Sequence, residues 1–208
     1  MLNGIAVHAF GPYASGSGGY DVSYPQCPGT SAPAGTFGII GANDGRPFTV
    51  NPCFGNEYRG AANSVYINAA YAKAYRGNIT IDCSTGPSTA WDIGCSEAET
   101  SMNAVAGHNI SMWWLDVETA NSWSSNRSLN QEAIQGAISR LGSAGPVGVY
   151  STTYAWGRIA GSGFVPTGVS GVWVPAPQCA GASSFITGAT VWLTQRVVNN
   201  VDVDTACG

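Results

Sequence analysis

The stretch SMWWLDVE, residues 111–118, combines an unbroken apolar run with two acids one residue apart. Apolar residues without polar alternation are typical of a strand in a sheet that is covered on both faces. In a strand, residues i and i+2 project from the same face. We therefore expect Asp116 and Glu118 to point to one side at the carboxyl end of a buried strand, in a segment that carries no Lys or Arg.

Runs of the same kind recur along the chain, separated by segments rich in Gly, Pro, Ser and Asn. They are GYDVSY (19–24), TFGIIGA (36–42), NSVYINAAY (63–71), GPVGVYS (145–151), SGVWVPA (170–176) and ATVWLTQ (189–195). Between the runs, apolar residues at helical spacing predict a helix over 129–145, with Ser128 and Gln131 as its capping box, and a second helix over 95–109. Strands that alternate with helices indicate an α/β fold with a mainly parallel sheet, and this number of strands favours a closed or nearly closed barrel.

The composition indicates a single domain. The chain has 208 residues, of which 44% are hydrophobic and 10% are charged, so it can bury one sizeable core. We expect residues 1–18 to be a flexible leader or a processed N-terminus and residues 19–208 to form the domain. A net charge of −4 argues against nucleic acid as a partner, because phosphate binding draws on clustered Lys and Arg. No apolar run approaches the roughly 20 residues of a membrane-spanning helix.

The six cysteines indicate a disulfide framework. None of them forms a CxxC pair, and the two histidines, His8 and His108, are isolated from them, which argues against a zinc site. An even number of cysteines without metal-ligand spacing is typical of proteins from oxidising compartments, so we expect an extracellular protein. Of the many connectivities that are open, we predict that neighbours pair: Cys27 with Cys53, Cys83 with Cys95, and Cys179 with Cys207.

Further acids occur near both ends of the domain. Asp21 lies in GYDVSYPQ, and Asp202 and Asp204 lie in VDVDTAC. The first and last strands of a closed barrel are neighbours, so Asp21 and Asp202 can converge beside Asp116 and Glu118 at the carboxyl ends of the strands, where the active sites of such barrels form. Carboxyl groups held close together cannot all ionise cheaply, and at least one should keep a proton near neutral pH. The alternative is that each acid caps a loop or pairs with a distant Arg.

Several motifs together resemble the GH25 muramidases, which are secreted or phage-encoded lysozymes that cut the glycan of bacterial peptidoglycan. The motifs are GYDVSYPQ, FGIIGANDG, WWLDVE, GVYSTTYAW, GVWVPA, VWLTQ and VDVD, in this order, and they extend over residues 19–205. The opening GYDVSYPQC and the stretch LDVETANSW also resemble secreted actinobacterial proteins of this type. The resemblance implies an irregular (β/α) barrel of about eight strands with fewer helices, and a groove of acids at one end.

The resemblance also implies roles for the acids. Glu118 matches the family's general acid, Asp116 its partner carboxylate, and Asp21 the Asp of the opening motif. Asp202 matches the Asp of the closing motif, while Asp204 stands where the family usually has Asn, so that either could belong to the site.

Aromatic residues are expected to form the walls of the groove. Tyr150 matches a tyrosine that lines the family's cleft, and Trp173 and Trp192 are further candidates for stacking on sugars. The sequence departs from the family at NAAYA (68–72), where an aromatic–His pair is usual, and also at WLTQ and PAPQC. These departures change the expected sugar-binding walls while the acids are kept.

Together these features predict a secreted, monomeric glycoside hydrolase without a metal or another cofactor. Its substrate is expected to be a polysaccharide, above all an amino-sugar-containing cell-wall glycan such as peptidoglycan. Three alternatives stay open: a glycosidase for a different cell-wall polysaccharide, a carbohydrate-binding protein on the same fold that lacks turnover, and a structural surface protein in which the acids only cap loops.

Overall fold

The protein is described by a computed structural model that covers residues 11–27, 35–59 and 63–207. The described residues form a closed barrel of eight strands in sequence order. The strands are β1 (Gly18–Val22), β2 (Phe37–Gly41), β3 (Asn63–Asn68), β4 (Trp113–Asp116), β5 (Val147–Tyr150), β6 (Val169–Pro175), β7 (Val191–Val198) and β8 (Val201–Ala206). Strands β1 to β7 run parallel, whereas β8 pairs antiparallel with both β7 and β1 and closes the barrel. The predicted irregular barrel is confirmed.

Helices cover part of the outside of the barrel. They are α1 (Phe54–Glu57), α2 (Thr89–Ala104), α3 (Arg127–Gly142) and α4 (Thr153–Ile159). Helices α2 and α3 pack so closely that a Cβ added to Gly94 would lie 1.8 Å from the backbone oxygen of Ala133. Both helices begin earlier than the sequence predicts. The predicted capping box at Ser128 is wrong, because Asn126 caps α3 and accepts a hydrogen bond from the Ser128 backbone N–H.

Alternating residues of the strands belong to two separate apolar clusters. Side chains on the outer face pack against the helices and form the larger core. Side chains on the inner face fill the barrel at the amino ends of the strands, hereafter the amino end. Two interior glycines make room for rings: a Cβ on Gly148 would lie 2.2 Å from the Trp114 ring, and a Cβ on Gly171 would lie 2.4 Å from the Trp192 ring.

Residues before β1 close the amino end of the barrel. Tyr13 is buried, its hydroxyl accepts a hydrogen bond from Trp114 Nε1 at 3.0 Å, and it is also bonded to Ser64. The backbone N–H of Gly16 donates to Ala206. The described part of the expected leader therefore packs against the barrel. Residues 1–10, which include His8, lie outside the described residues, and the domain boundary after residue 18 stays a prediction.

Three disulfides join the connections of the barrel, and their pairing confirms the prediction that neighbouring cysteines bond. They link Cys27 to Cys53, Cys83 to Cys95, and Cys179 to Cys207. Each bond restricts the unfolded chain and so stabilises the folded one. Among the described residues, no helix is both long and apolar enough to cross a membrane.

Candidate active site

The carboxyl ends of β1 to β7 and the start of β8 meet at one mouth of the barrel, around a cavity of about 260 Å³. Its lining is polar and aromatic: Asp21, Tyr66, Asn68, Asp116, Glu118, Tyr150, Trp173, Gln195 and Asp202. The four acids predicted to be catalytic thus lie together, and Asp21 and Asp202 are directly paired between β1 and β8. Their convergence is observed, while their catalytic roles stay a prediction.

The stretch around β4 shows how the sequence produces this arrangement. Trp113, Leu115 and Val117 face the helices and belong to the outer core. Trp114 points into the barrel and belongs to the inner cluster. Two residues further along the strand, Asp116 lines the cavity. The apolar run is unbroken because both faces of the strand are buried, and the acid occupies the last inward position.

Asp116 is held by the neighbouring strand. It is 5% exposed, and Asn68, its partner in the β3–β4 register, donates a side-chain hydrogen bond to Asp116 Oδ2. Asn68 is fixed in turn by Asn43, whose amide nitrogen donates to the Asn68 backbone oxygen at 3.1 Å and whose amide oxygen accepts from the Asn68 backbone N–H at 3.2 Å. Asp116 Oδ1 is buried without a hydrogen-bond partner among the described residues.

Burial raises the pKa of Asp116 well above its ordinary value. The negative charges of Glu118 and Asp21 raise this pKa further, and the hydrogen bond from Asn68 opposes them only in part. A carboxylate that loses water and gains like charges as neighbours is favoured in its neutral form. Asp116 therefore keeps its proton at pH values where an exposed Asp would have lost it.

Asp21 belongs to a second hydrogen-bonded set on the opposite side of the mouth. Gln195 Nε2 donates to Asp21 Oδ2 at 2.8 Å, and the Tyr150 hydroxyl donates to Gln195 Oε1 at 2.8 Å. Burial raises the pKa of Asp21 to about 7, against the hydrogen bond from Gln195, and the charges of Asp202 and Glu118 raise it as well. The ring of Tyr150 lies 4.5 Å from that of Trp173, edge to face, so these two aromatic residues form one wall of the cavity.

Glu118 and Asp202 lie nearer to solvent than Asp116. Burial raises the pKa of Glu118 and that of Asp202 above their ordinary values. No Lys, Arg or His is among the described residues that line this cavity, so the carboxyl groups are not neutralised by a cation. Such a site can hold a proton for transfer and can also present negative charge to a developing cation. The described residues contain no group of three or more His, Cys, Asp or Glu that could hold a metal ion.

Asp204 lies deeper than the predicted site. Asp204 pairs with Gly19 of β1. Its side chain is fully buried and does not line the cavity. Burial raises the pKa of Asp204 well above its ordinary value, the charge of Asp21 adds to this, and contact with the Trp173 indole lowers it. The expected contact of Asp204 with substrate is not supported by this position.

The expectation that Trp192 stacks on sugars is wrong. Its ring packs against Gly11 and Gly171 in the inner cluster at the amino end of the barrel, so it cannot stack on a sugar at the mouth. Trp173, by contrast, lines the cavity as expected.

Three lining residues were not singled out in the sequence: Tyr66, Asn68 and Gln195. Each lies at or near the carboxyl end of a strand and points inward. A polar residue that follows inward apolar residues at a spacing of two is the signal that could have found Asn68 and Gln195.

Comparisons with known proteins identify the family. A family model described as lysozyme-like protein 1 matches residues 49–174. A GH25 lysozyme from Aspergillus fumigatus superimposes with a TM-score of 0.67 at 16% sequence identity, over 93% of this chain and 95% of that chain. A bacterial lysozyme from Streptomyces coelicolor has a TM-score of 0.61 at 18% identity, over 94% of both chains. A muramidase from Acremonium alcalophilum has a TM-score of 0.59 at 15% identity, over 92% of this chain and 93% of that chain.

No curated protein sequence matched the chain significantly. The solved structures therefore show the shared fold, and the family model, which matches more than half of the chain, shows the family. The chain belongs to the lysozyme-like protein 1 family of glycoside hydrolases, and its fold is that of the GH25 lysozymes.

Proposed function

We propose that this protein hydrolyses glycosidic bonds in an amino-sugar-containing cell-wall glycan, with peptidoglycan as the first candidate, and that it acts outside the cell. The observation that carries the proposal is the cavity in which four carboxyl groups converge without a cation. The lysozyme-like family and the muramidase fold support this class of substrate. The three disulfides support an oxidising, extracellular setting.

Glu118 is the proposed general acid. Its carboxyl group is less buried than that of Asp116, so it can reach the oxygen of a bond that enters the cavity. The raised pKa of Glu118 keeps a proton available. Glu118 gives this proton to the leaving glycosidic oxygen as the bond to the anomeric carbon breaks. Water then supplies a hydroxyl group to the anomeric carbon, and its second proton returns to the Glu118 carboxylate.

Asp116 and Asp21 are the proposed stabilising or orienting carboxyls. Both are buried, and each is positioned by one amide side chain, Asn68 and Gln195 respectively. Fixed carboxyl groups on two sides of the cavity can stabilise the positive charge that develops on the sugar ring, or orient an N-acetyl group for attack within its own sugar. Asp202, beside Asp21, adds to the same negative potential.

The test compares wild-type protein with Glu118→Gln on a panel of polysaccharides: bacterial walls, chitin-like polymers, arabinan and galactosaminan. We expect wild type to release reducing ends from bacterial walls, and the substitution to lower kcat at least about a hundredfold, because it removes the transferable proton. Glu132→Gln is the matched control. Glu132 lies on α3, accepts a hydrogen bond from Ser88 and does not line the cavity.

Two outcomes would contradict the proposal. Equal release of reducing ends by wild type and Glu118→Gln would remove Glu118 from the chemistry. Binding of walls without release of reducing ends from any polymer would favour a carbohydrate-binding protein that lacks turnover.

A further inference from the structure

A second and larger cavity lies beside the mouth of the barrel. It has a volume of about 690 Å³ and is lined by the β4–α3 connection, the start of α3 and the end of α4: Thr119, Asn121, Trp123, Ser124, Ser125, Asn126, Arg127, Arg158 and Ile159. Thr119 of this pocket directly follows Glu118 of the acidic cavity in the chain. Its described lining contains two arginines and no acid. We call it the basic pocket.

The two arginines of the basic pocket are not neutralised by any carboxylate that the structure describes. Neither Arg127 nor Arg158 forms an ion pair with a carboxylate in residues 11–27, 35–59 and 63–207, whereas Arg46 and Arg140 do. Arg127 Nε donates to the Arg158 backbone oxygen at 3.4 Å, which holds the two residues side by side. In a chain with 8 Lys and Arg and a net charge of −4, two unpaired guanidinium groups at one pocket are a local excess of positive charge.

The wall of the basic pocket is fixed by buried hydrogen bonds. Asn130 is fully buried, and its amide nitrogen donates to the backbone oxygens of Ser124 and Ile159, both at 2.9 Å. Its amide oxygen accepts from the Ser124 backbone N–H at 2.9 Å. Trp123 Nε1 donates a hydrogen bond to the Glu118 backbone oxygen at 2.8 Å, which links the pocket to the proposed general acid. The pocket is therefore organised before any ligand enters.

Guanidinium groups beside hydroxyl and amide donors are suited to carboxylate and phosphate, which they bind through charge-assisted hydrogen bonds. We propose that the basic pocket binds an anionic substituent, a carboxylate or a phosphate, carried by the glycan whose backbone enters the acidic cavity. This proposal rests on the proposed function, because it names a chemical feature of the same substrate. The acidic cavity would repel such a group, and the basic pocket lies where the group can be received instead.

The test measures binding of the protein to insoluble cell walls by cosedimentation, in a Glu118→Gln background so that turnover does not interfere. The test variant is Arg127→Gln with Arg158→Gln. The control is Lys73→Gln with Arg76→Gln, which removes the same charge from two exposed residues outside this pocket. We expect the test variant to raise the dissociation constant for intact walls about five- to tenfold and the control to change it less than about twofold.

A second pair of substitutions, Arg127→Lys with Arg158→Lys, separates charge from folding. It keeps both positive charges and loses the bidentate geometry, so we expect it to recover part of the affinity. Equal loss of affinity in the Gln and Lys variants would overturn the proposal, because charge would then not be the cause. Equal affinity of the Gln variant and the Lys73 and Arg76 control would overturn it as well.

Three wall preparations distinguish the sources of the anion. If the double Gln substitution still weakens binding to walls stripped of phosphate polymers, the pocket binds a carboxylate. If it still weakens binding to walls stripped of peptides, the pocket binds a phosphate. An effect of the same size on glycan that lacks both groups would overturn the proposal. The result is independent of the proposed hydrolysis, because failure of wild type to release reducing ends leaves the binding measurement unchanged.

Discussion

The two ends of the barrel interior are built from the same strands and have opposite chemistry. At the amino end, the interior is apolar and aromatic, and the buried hydroxyl of Tyr13 is bonded to Ser64 and Trp114. At the mouth, four acids converge. The change takes a single step of two residues on β4, from Trp114 to Asp116. On β4, the acid therefore occupies only the last inward position, while the preceding residue on that face packs in the apolar interior.

The two ends also differ in their buried carboxyl groups, which lie at or near the mouth. Asp116 Oδ1 at the mouth is buried and has no hydrogen-bond partner among the described residues. Buried carboxyl groups of this kind favour the neutral form and oppose folding when they ionise. The comparison predicts that substitutions at the amino end reduce stability, and that substitutions at the mouth reduce activity and spare or improve stability.

The largest effect is expected from Trp114→Ala. Trp114 is fully buried in the inner cluster, so its loss leaves a cavity that the barrel cannot easily close. We expect the free energy of unfolding to fall by about 3–5 kcal/mol, measured by denaturant titration. Because the proposed chemistry takes place at the mouth, kcat of the folded fraction should fall less than in Asp116→Asn. A larger loss of kcat than in that variant would show that the amino end takes part in the reaction.

Asp116→Asn should have the opposite effect: a large loss of kcat and no loss of stability. Asn can still accept the hydrogen bond from Asn68 but can neither ionise nor give up a proton, so we expect kcat to fall about a hundredfold or more. The free energy of unfolding near pH 7 should stay equal or rise, because a buried carboxyl group with a raised pKa has been removed. A clear loss of stability near pH 7 would show that Asp116 serves the fold rather than the chemistry.

The raised pKa of Asp21 should be visible in the pH dependence of the free energy of unfolding. Its pKa is raised from 3.8 to about 7, so the folded protein binds this proton more tightly than the unfolded chain does. The contribution of this proton is complete below pH 4, and it is lost as the pH rises to about 7. We therefore expect Asp21→Asn to be increasingly more stable than wild type over this range, by on the order of 2–4 kcal/mol at pH 7. Chemical denaturation at several pH values measures the difference, and a constant difference would contradict the raised pKa.

The smallest effect is expected from Asn43→Ala. Asn43 does not line the cavity and acts on Asp116 only through Asn68. We expect kcat to fall about three- to tenfold with KM nearly unchanged, because two hydrogen bonds that position Asn68 are lost. The control is Asn51→Ala. It removes a buried amide that donates hydrogen bonds to Gly41 and Glu57, neither of which lines the cavity. Equal effects of both substitutions on kcat would show that Asn43 has only a structural role.

Much of the mouth could be predicted because its residues follow local rules. The unbroken apolar run before Asp116 identified a strand that is buried on both faces, and the spacing of two placed Glu118 on the same side. Closure of the barrel then placed Asp202 beside Asp21. These steps need only the period of a strand and the neighbourhood of the first and last strands.

The remaining positions depend on features that have no local signature. The β6–β7 register shifts between Val172 and Trp173, so that Trp173 pairs with Leu193 and Trp192 falls outside the regular alternation. The spacing of two showed that Asp202 and Asp204 share a face but not which is deeper, and depth is set by the reversed direction of β8. Tyr13 contacts Trp114 across 101 residues, a distance over which no pattern in the sequence could have linked them.

The reversed direction of β8 also determines where the chain leaves the barrel. β8 starts at the mouth and ends with Ala206 at the closed amino end, where the Ala206 backbone N–H donates to Ser17. A linker or affinity handle joined after Cys207 would therefore emerge on the side opposite the acids. Protein immobilised through such a handle should present its mouth to an insoluble wall without obstruction.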